Sequence, residues 1–247
     1  MEKNSIILDD ISKIYNASRI TRKRIIEERS VFGKLSAREI AALRNISLTI
    51  EKGETVGVIG NNGAGKSTLL KVISDVVKPT SGTAEIYGKV VAALEVGVGF
   101  HPDLSGIECI IFSCRLLGLP GNEIRRITPA IVEFSELNKV IKRPIKYYSH
   151  GMRVRLAFAI IVNVEADILL FDEMQMVGED AVFRDRAYEK FRQLKQSGKT
   201  MMMVSHHLNE IEKFCTQTIV LDKGELLMYG RTNEVTAFYR EKILGGK

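Results

Sequence analysis

Eight consecutive residues, Gly60-Asn61-Asn62-Gly63-Ala64-Gly65-Lys66-Ser67, follow the spacing G-x-x-x-x-G-K-S. Glycines in such a run let successive backbone N–H groups turn toward one anion, and a helix beginning beside them adds its partial positive charge. The spacing assigns Lys66 to the β- and γ-phosphates of a nucleoside triphosphate, the Ser67 hydroxyl to Mg²⁺ and Thr68 to the α-phosphate. A second acidic site stands further along, in Ile168-Leu169-Leu170-Phe171-Asp172-Glu173. Four apolar residues read as a buried strand that ends in two acids, and ligands of open α/β sheets bind at that end of the strands. Asp172 is suited to hold Mg²⁺ directly or through water. Glu173 points to the other side of the strand and is suited to polarise an attacking water as general base. Kinases, GTPases and helicases share this pair of motifs, so it specifies triphosphate chemistry and no more.

The elements that must carry these groups are also legible. Residues 54–59 read as a buried strand leading into the glycine run, and residues 68–73 continue as an apolar-periodic helix. Strand-like runs at 5–11 and 46–50 precede the motif, and 109–119 and 124–137 read as helices joined by a turn at 118–122. Thr200-Met201-Met202-Met203-Val204 reads as a buried strand rather than a metal-binding tract, and it ends in Ser205-His206-His207.

Composition bounds the setting. The chain has 36 Lys+Arg against 30 Asp+Glu, a net charge of +6, with 45% hydrophobic and 27% charged residues. Those values exclude a disordered chain. The longest apolar stretch, 156–171, is broken by Asn163, Glu165 and Asp167, which argues against a membrane span. Residues 1–10 carry Glu2, Asp9 and Asp10 and no apolar segment, so no signal peptide is expected. Three cysteines without CxxC spacing (Cys109, Cys114, Cys215) read as buried reduced thiols. A soluble, cytosolic protein is the expectation. The charge is concentrated between Arg19 and Arg44, where eight basic residues face three acidic ones. That insert reads either as a solvated surface loop or as a cationic face for anionic lipid or another negative partner. It shows no aromatic interleaving of the kind that marks nucleic-acid contact.

Two further stretches carry a resemblance. Tyr148-Ser149-His150-Gly151-Met152 precedes a helix leading into the acidic strand, and His206 follows the next strand. Here the chain resembles the ATP-binding subunits of ABC transporters. Ser149 and Gly151 match that family's L-S-G-G-Q signature loop, and His206 matches its switch histidine. Leu94-Glu95-Val96-Gly97-Val98-Gly99-Phe100-His101-Pro102, the Tyr-Ser-x-Gly-Met-x-x-Arg-Leu-Ala-Phe run and the Val177-Gly178 turn are similar to the branch that exports bacterial polysaccharides. The likeness runs from Leu8 to about Tyr239.

The resemblance implies an α/β fold, a P-loop NTPase with a RecA-like core, an antiparallel β subdomain and a helical subdomain. It divides one nucleotide-binding domain, 1–247, into a core of 1–100 and 153–247 and a helical part of about 101–152. It implies ATP and Mg²⁺ as ligands, with Tyr15 stacking on adenine, Gly60, Asn61, Asn62, Gly63, Ala64, Gly65, Lys66, Ser67 and Thr68 around the phosphates, and Ser67 and Asp172 on the metal. Glu173 and His206 are the catalytic pair. It further implies a head-to-tail homodimer in which Ser149, His150 and Gly151 of one subunit meet ATP held by the other. Residues 95–103 and the first helix of the helical part are expected to grip two copies of a membrane-spanning permease, at the cytoplasmic face of the inner membrane. The expected task is export of a lipid-linked polysaccharide of the O-antigen, capsule or teichoic acid type, with no nucleic-acid partner. An ATPase of another transporter class, or a soluble ABC protein acting on nucleic acid, is the alternative. The chain ends before any appended sugar-binding β-sandwich, so none is expected. Three departures stand out: His101 or a neighbour replaces a glutamine of other branches, either Glu179 or Asp180 fills the acidic interface position, and the signature is degenerate.

Overall fold

The structure is a computed structural model that describes residues 3–16, 39–93, 97, 99–172 and 180–244. Most of the basic insert, Glu173, Gln175, Glu179 and the Val177-Gly178 turn lie outside the described residues.

Near-continuous apolar runs buried on both faces favour parallel strands in the middle of a sheet. Three such runs, β3 (Thr55–Ile59), β6 (Ile168–Asp172) and β7 (Thr200–Val204), occupy the centre of a six-stranded sheet. Its order is β5-β6-β7-β3-β8-β9, where β5 is Val90–Ala93, β8 is Gln217–Asp222 and β9 is Glu225–Arg231. The first five are parallel, and β9 returns antiparallel to β8. Alternate side chains feed two cores. Ile59, Leu169, Phe171, Met201, Met203 and Val220 enter one, and Val56, Val58, Leu170, Met202, Val204 and Ile219 enter the other.

The second core is closed by a three-stranded antiparallel sheet, β2-β1-β4, formed by β1 (Asn4–Asn16), β2 (Glu39–Glu51) and β4 (Ser81–Ile86). Both β1 and β2 outrun the apolar patches at 5–11 and 46–50. Asp10 and Asn45 adopt positive φ at register shifts in the pair. Side chains then brace the irregularity: Asn45 Nδ2 donates to Asp10 Oδ1 (2.7 Å), and the Asn45 N–H donates to Ser12 Oγ (2.9 Å). Pairing thus resumes beyond the bulge and carries β1 out to Tyr15.

α1 packs in the second core between the two sheets, and the other face holds the remaining helices. α1 is Lys66–Ile73, α2 Gly106–Leu116, α3 Gly121–Ser135, α4 His150–Asn163, α5 Ala181–Gln196, α6 Leu208–Phe214 and α7 Thr232–Tyr239. α2 starts earlier than its apolar pattern because Ser105 and Glu108 form a capping box: the Glu108 N–H donates to Ser105 Oγ and the Ser105 N–H to Glu108 Oε2. α4 runs unbroken through residues 152 and 153 and ties the 101–149 segment to the sheet. Phe158 on α4 is its main anchor. The ring lies 6.0 Å from Phe134 of α3, 6.5 Å from Phe171 of β6, and 6.0 and 5.4 Å from Phe183 and Phe191 of α5.

Removing a ring from such a cluster costs its transfer energy and leaves a cavity. Phe158→Ala is expected to lower stability by about 3–5 kcal/mol, and Phe158→Leu by clearly less. Denaturant midpoints of the two variants check this, and a shift for alanine below 1 kcal/mol on the order of a surface substitution would contradict the anchor role.

Candidate functional site

The glycine run leaves β3 at Ile59 and closes on α1. Gly60 has φ 152°, and a Cβ there would meet the Leu221 carbonyl oxygen at 2.2 Å. Gly65, just before α1, has φ 104°, and its Cβ would meet the Ala42 oxygen at 2.5 Å. Only glycine fits either position. The loop turns on an Ala64 N–H to Asn61 oxygen bond of 3.1 Å. No side chain caps α1 and no acid sits in its first turn. Its leading N–H groups and their partial charge are therefore directed at the cleft in front. Lys66 is buried, and its Nζ donates to the Gly60 oxygen (2.8 Å) and the Asn61 oxygen (3.0 Å), which holds the ammonium over the loop.

That cleft has a volume of about 700 Å³. Asn61, Asn62, Gly63, Ala64, Gly65, Lys66, Ser67 and Thr68 form its floor, and Tyr15, Asp172 and His206 stand around it. Three elements distant in sequence thus bring their predicted residues to one place. Tyr15 is 36% exposed, so its ring belongs to the cleft rather than a core, with the Lys13 ammonium 5.3 Å from its centroid. Ser67 and Asp172 face the same space, a hydroxyl and one carboxylate, the hard-oxygen set that suits Mg²⁺ when phosphates supply further ligands. Among the described residues no cluster of three or more His, Cys, Asp or Glu forms a metal cage of its own. The turn bearing His206 is fixed from behind: buried Ser205 donates to Glu210 Oε2 (2.7 Å) and accepts the His207 N–H (3.0 Å).

Ser149, His150 and Gly151 do not line this cleft. They sit exposed at the start of α4, where Ser149 Oγ accepts the Met152 N–H at 3.2 Å and nothing lies within 4 Å of a Gly151 Cβ. Tyr148, which departs from the family leucine, is buried and donates its hydroxyl to the Val140 oxygen (2.9 Å). Burial pushes its phenol above the ordinary range. The substitution therefore pins the signature turn to the loop before it. His101 is likewise outside the cleft, beside Asp103. Asp180 caps α5 through the Val182 and Phe183 N–H groups and pairs with Arg155 of α4, whose guanidinium also reaches Glu136 at 3.2 Å.

Sequence reasoning overlooked Ile40, Ala41, Ala42, Asp222 and Lys223, which complete the wall. The signal for the last two was present: Asp222-Lys223-Gly224 ends an apolar strand in a hairpin turn, at the sheet edge where ligands bind.

The sequence profile of the ABC transporter family matches residues 43–175. An O-antigen export system ATP-binding protein of Myxococcus xanthus is 42% identical over 97% of this chain, which spans only 56% of that relative. A protein of the same name from Klebsiella pneumoniae is 40% identical, with 89% of each chain covered. A teichoic acids export ATP-binding protein of Staphylococcus haemolyticus is 35% identical over 96% of this chain and 88% of its own. Among solved structures, a dimeric ATP-binding cassette in a post-hydrolysis state with ADP and Pi superposes with a TM-score of 0.73 at 22% identity, covering 92% of this chain and 98% of that one. At that identity the likeness speaks for the fold.

Lys66→Ala is expected to weaken nucleoside triphosphate binding at least about tenfold, because a charge-assisted contact to phosphate is lost. Calorimetric titration checks it, and unchanged affinity would remove the loop from the site.

Proposed function

The chain belongs to the ABC transporter family, and from that premise we propose that it is the ATP-hydrolysing subunit energising export of a lipid-linked polysaccharide, of O-antigen, capsule or teichoic acid type, across the cytoplasmic membrane. The observation that carries the reading is 35–40% identity over nearly the whole chain to O-antigen and teichoic acid export ATP-binding proteins, together with a cleft that gathers Asn61 to Thr68, Tyr15, Asp172 and His206.

ATP lies with its phosphates on the 60–68 loop, Lys66 on the β- and γ-oxygens and adenine against Tyr15. Ser67 and Asp172 hold Mg²⁺, which when bound offsets phosphate charge. Glu173 takes the proton of a water that attacks the γ-phosphorus, the bond to the β–γ bridging oxygen breaks, and ADP and phosphate leave. His206 contacts the γ-phosphate. Ser149, His150 and Gly151 act on the ATP of a second copy. Their exposure at the first turn of a 14-residue helix, away from their own cleft, favours that arrangement, since the helix then aims its positive end at a partner's γ-phosphate. ATP is the bridge of the closed dimer, and hydrolysis releases it.

A second cavity, of about 520 Å³, lies between α1, β5, α2 and α4. Its rim carries Val76 (63% exposed) and Leu116 (58% exposed), with Phe112 beside them. Exposed apolar surface around a groove marks an interaction site, and two permease copies are the occupants proposed for a dimer. None of the helices among the described residues is long and apolar enough to cross a membrane. The proposed station is peripheral, at the cytoplasmic face, with core 1–100 and 153–247 and helical part 101–152 moving as the dimer opens and closes. No nucleic-acid partner is part of the proposal.

Glu173→Gln is expected to keep ATP affinity, lower turnover by about a hundredfold or more and accumulate an ATP-bound dimer. Phosphate release and sedimentation measure both, and normal hydrolysis would remove Glu173 as the base. In cells expressing this variant, mass spectrometry should find cytoplasmic polyprenyl-linked glycan accumulating. Normal surface glycan without such accumulation would overturn the polysaccharide assignment.

A further inference from the structure

We propose that Lys223, at the tip of the β8–β9 hairpin, contacts the bound nucleotide at its ribose and α-phosphate end, so that it strengthens ADP and ATP binding alike. The proposal rests on the reading of the large cleft as the nucleotide site.

Sheet order gives the cleft two ends. β7 and β6 lie on one side of β3 and bring His206 and Asp172, the groups assigned to the γ-phosphate and the metal. β8 lies on the opposite side of β3 and brings Lys223. With the phosphate loop leaving β3 between them, Lys223 is at the end away from the γ-phosphate.

The hairpin tip is held rigidly in that place. Asp222 pairs with Glu225, so Lys223 and Gly224 form a two-residue loop, with φ of 49° and 83°. Positive φ at both residues is the type I′ turn, where asparagine, aspartate or glycine is the ordinary first residue. The Gly224 N–H donates to the Ala64 oxygen of the phosphate loop (3.0 Å), and the Gly224 oxygen accepts the Arg44 N–H of β2 (2.8 Å). A Cβ on Gly224 would meet the Ala42 oxygen at 2.8 Å. The lysine is thus carried by a turn fastened to the phosphate loop itself. Among the described residues Lys223 makes no ion pair, although Asp222 beside it also lines the cleft. Its ammonium is available to an anion, while Lys66 is engaged with the loop's own carbonyls.

A contact at the ribose and α-phosphate end acts on the part that ADP and ATP share. The test is calorimetric titration of the full chain with unlabelled MgADP and MgATP. Lys223→Gln should weaken both by the same factor, about threefold to tenfold for a partly screened charge-assisted contact. Lys223→Arg should restore both, and Lys139→Gln, an exposed lysine of the 137–147 loop, should change neither. Thermal melts matching the wild type confirm that the variants fold. Equal affinities for Lys223→Gln and wild type would overturn the inference while leaving the nucleotide site intact. Loss of ATP affinity alone would also overturn it, because the lysine would then act at the γ-phosphate. A wild-type chain binding neither nucleotide would overturn the reading of the cleft and this inference with it.

Discussion

A phosphate-binding loop made of glycine and small residues has almost no side chains with which to hold itself still. Its backbone must keep one shape while its N–H groups face outward, so the restraint has to come from elsewhere. In this chain Lys66 bonds two carbonyls of the loop, and the rest of the restraint comes from backbone contacts. The Leu221 oxygen packs where Gly60 lacks a Cβ, the Ala42 oxygen where Gly65 lacks one, and the Gly224 N–H binds the Ala64 oxygen. Every other part of the site is arranged around elements that make those contacts. β8 must lie beside β3, β2 of the other sheet must pack against the loop, and the hairpin after β8 must turn inward.

The same arrangement accounts for the two sheets. β2 belongs to the antiparallel sheet, yet its Ala42 reaches the phosphate loop and its Arg44 the β8–β9 hairpin, so the small sheet is braced against the nucleotide cleft rather than appended to it. The bulge at Asp10 and Asn45 then lets β1 continue to Tyr15, and the aromatic ring arrives at the far side of the cleft. On the opposite face, α4 starts at the signature turn and runs onto the aromatic cluster under β6. Phe158 packs against both Phe134 and Phe171, while Arg155 joins Glu136 to the cap of α5. The helical part is thereby tied to the strand that carries Asp172 by packed rings, and to α5 by one ion-pair network.

The chemistry-bearing groups were legible because their types and spacing are local. A glycine run ending in Lys66 and Ser67, and an apolar strand ending in Asp172, are recognisable without reference to the rest of the chain, and both line the cleft. The central strands were legible for a similar reason, since uninterrupted apolar runs such as Thr200-Met201-Met202-Met203-Val204 have few other places to go. Strand ends and helix starts were less so. β1 and β2 extend past their apolar patches through side-chain bracing between residues far apart, and α2 begins at a capping box that apolar periodicity does not register.

By itself, then, the sequence determined the triphosphate chemistry, the buried strands and the family, because each is written in short runs whose side chains or backbone act locally. Tertiary structure alone decided which distant residues share the cleft. Ala42 became part of it through backbone approach, a property with no local signature, and the hairpin turn of Lys223 reached it only through the strand order that puts β8 beside β3. It also decided that Ser149, His150 and Gly151 face away from their own cleft, because α4 is anchored at Phe158 and Tyr148 rather than at the loop. Local spacing specifies what a group can do, and packing specifies what it can reach.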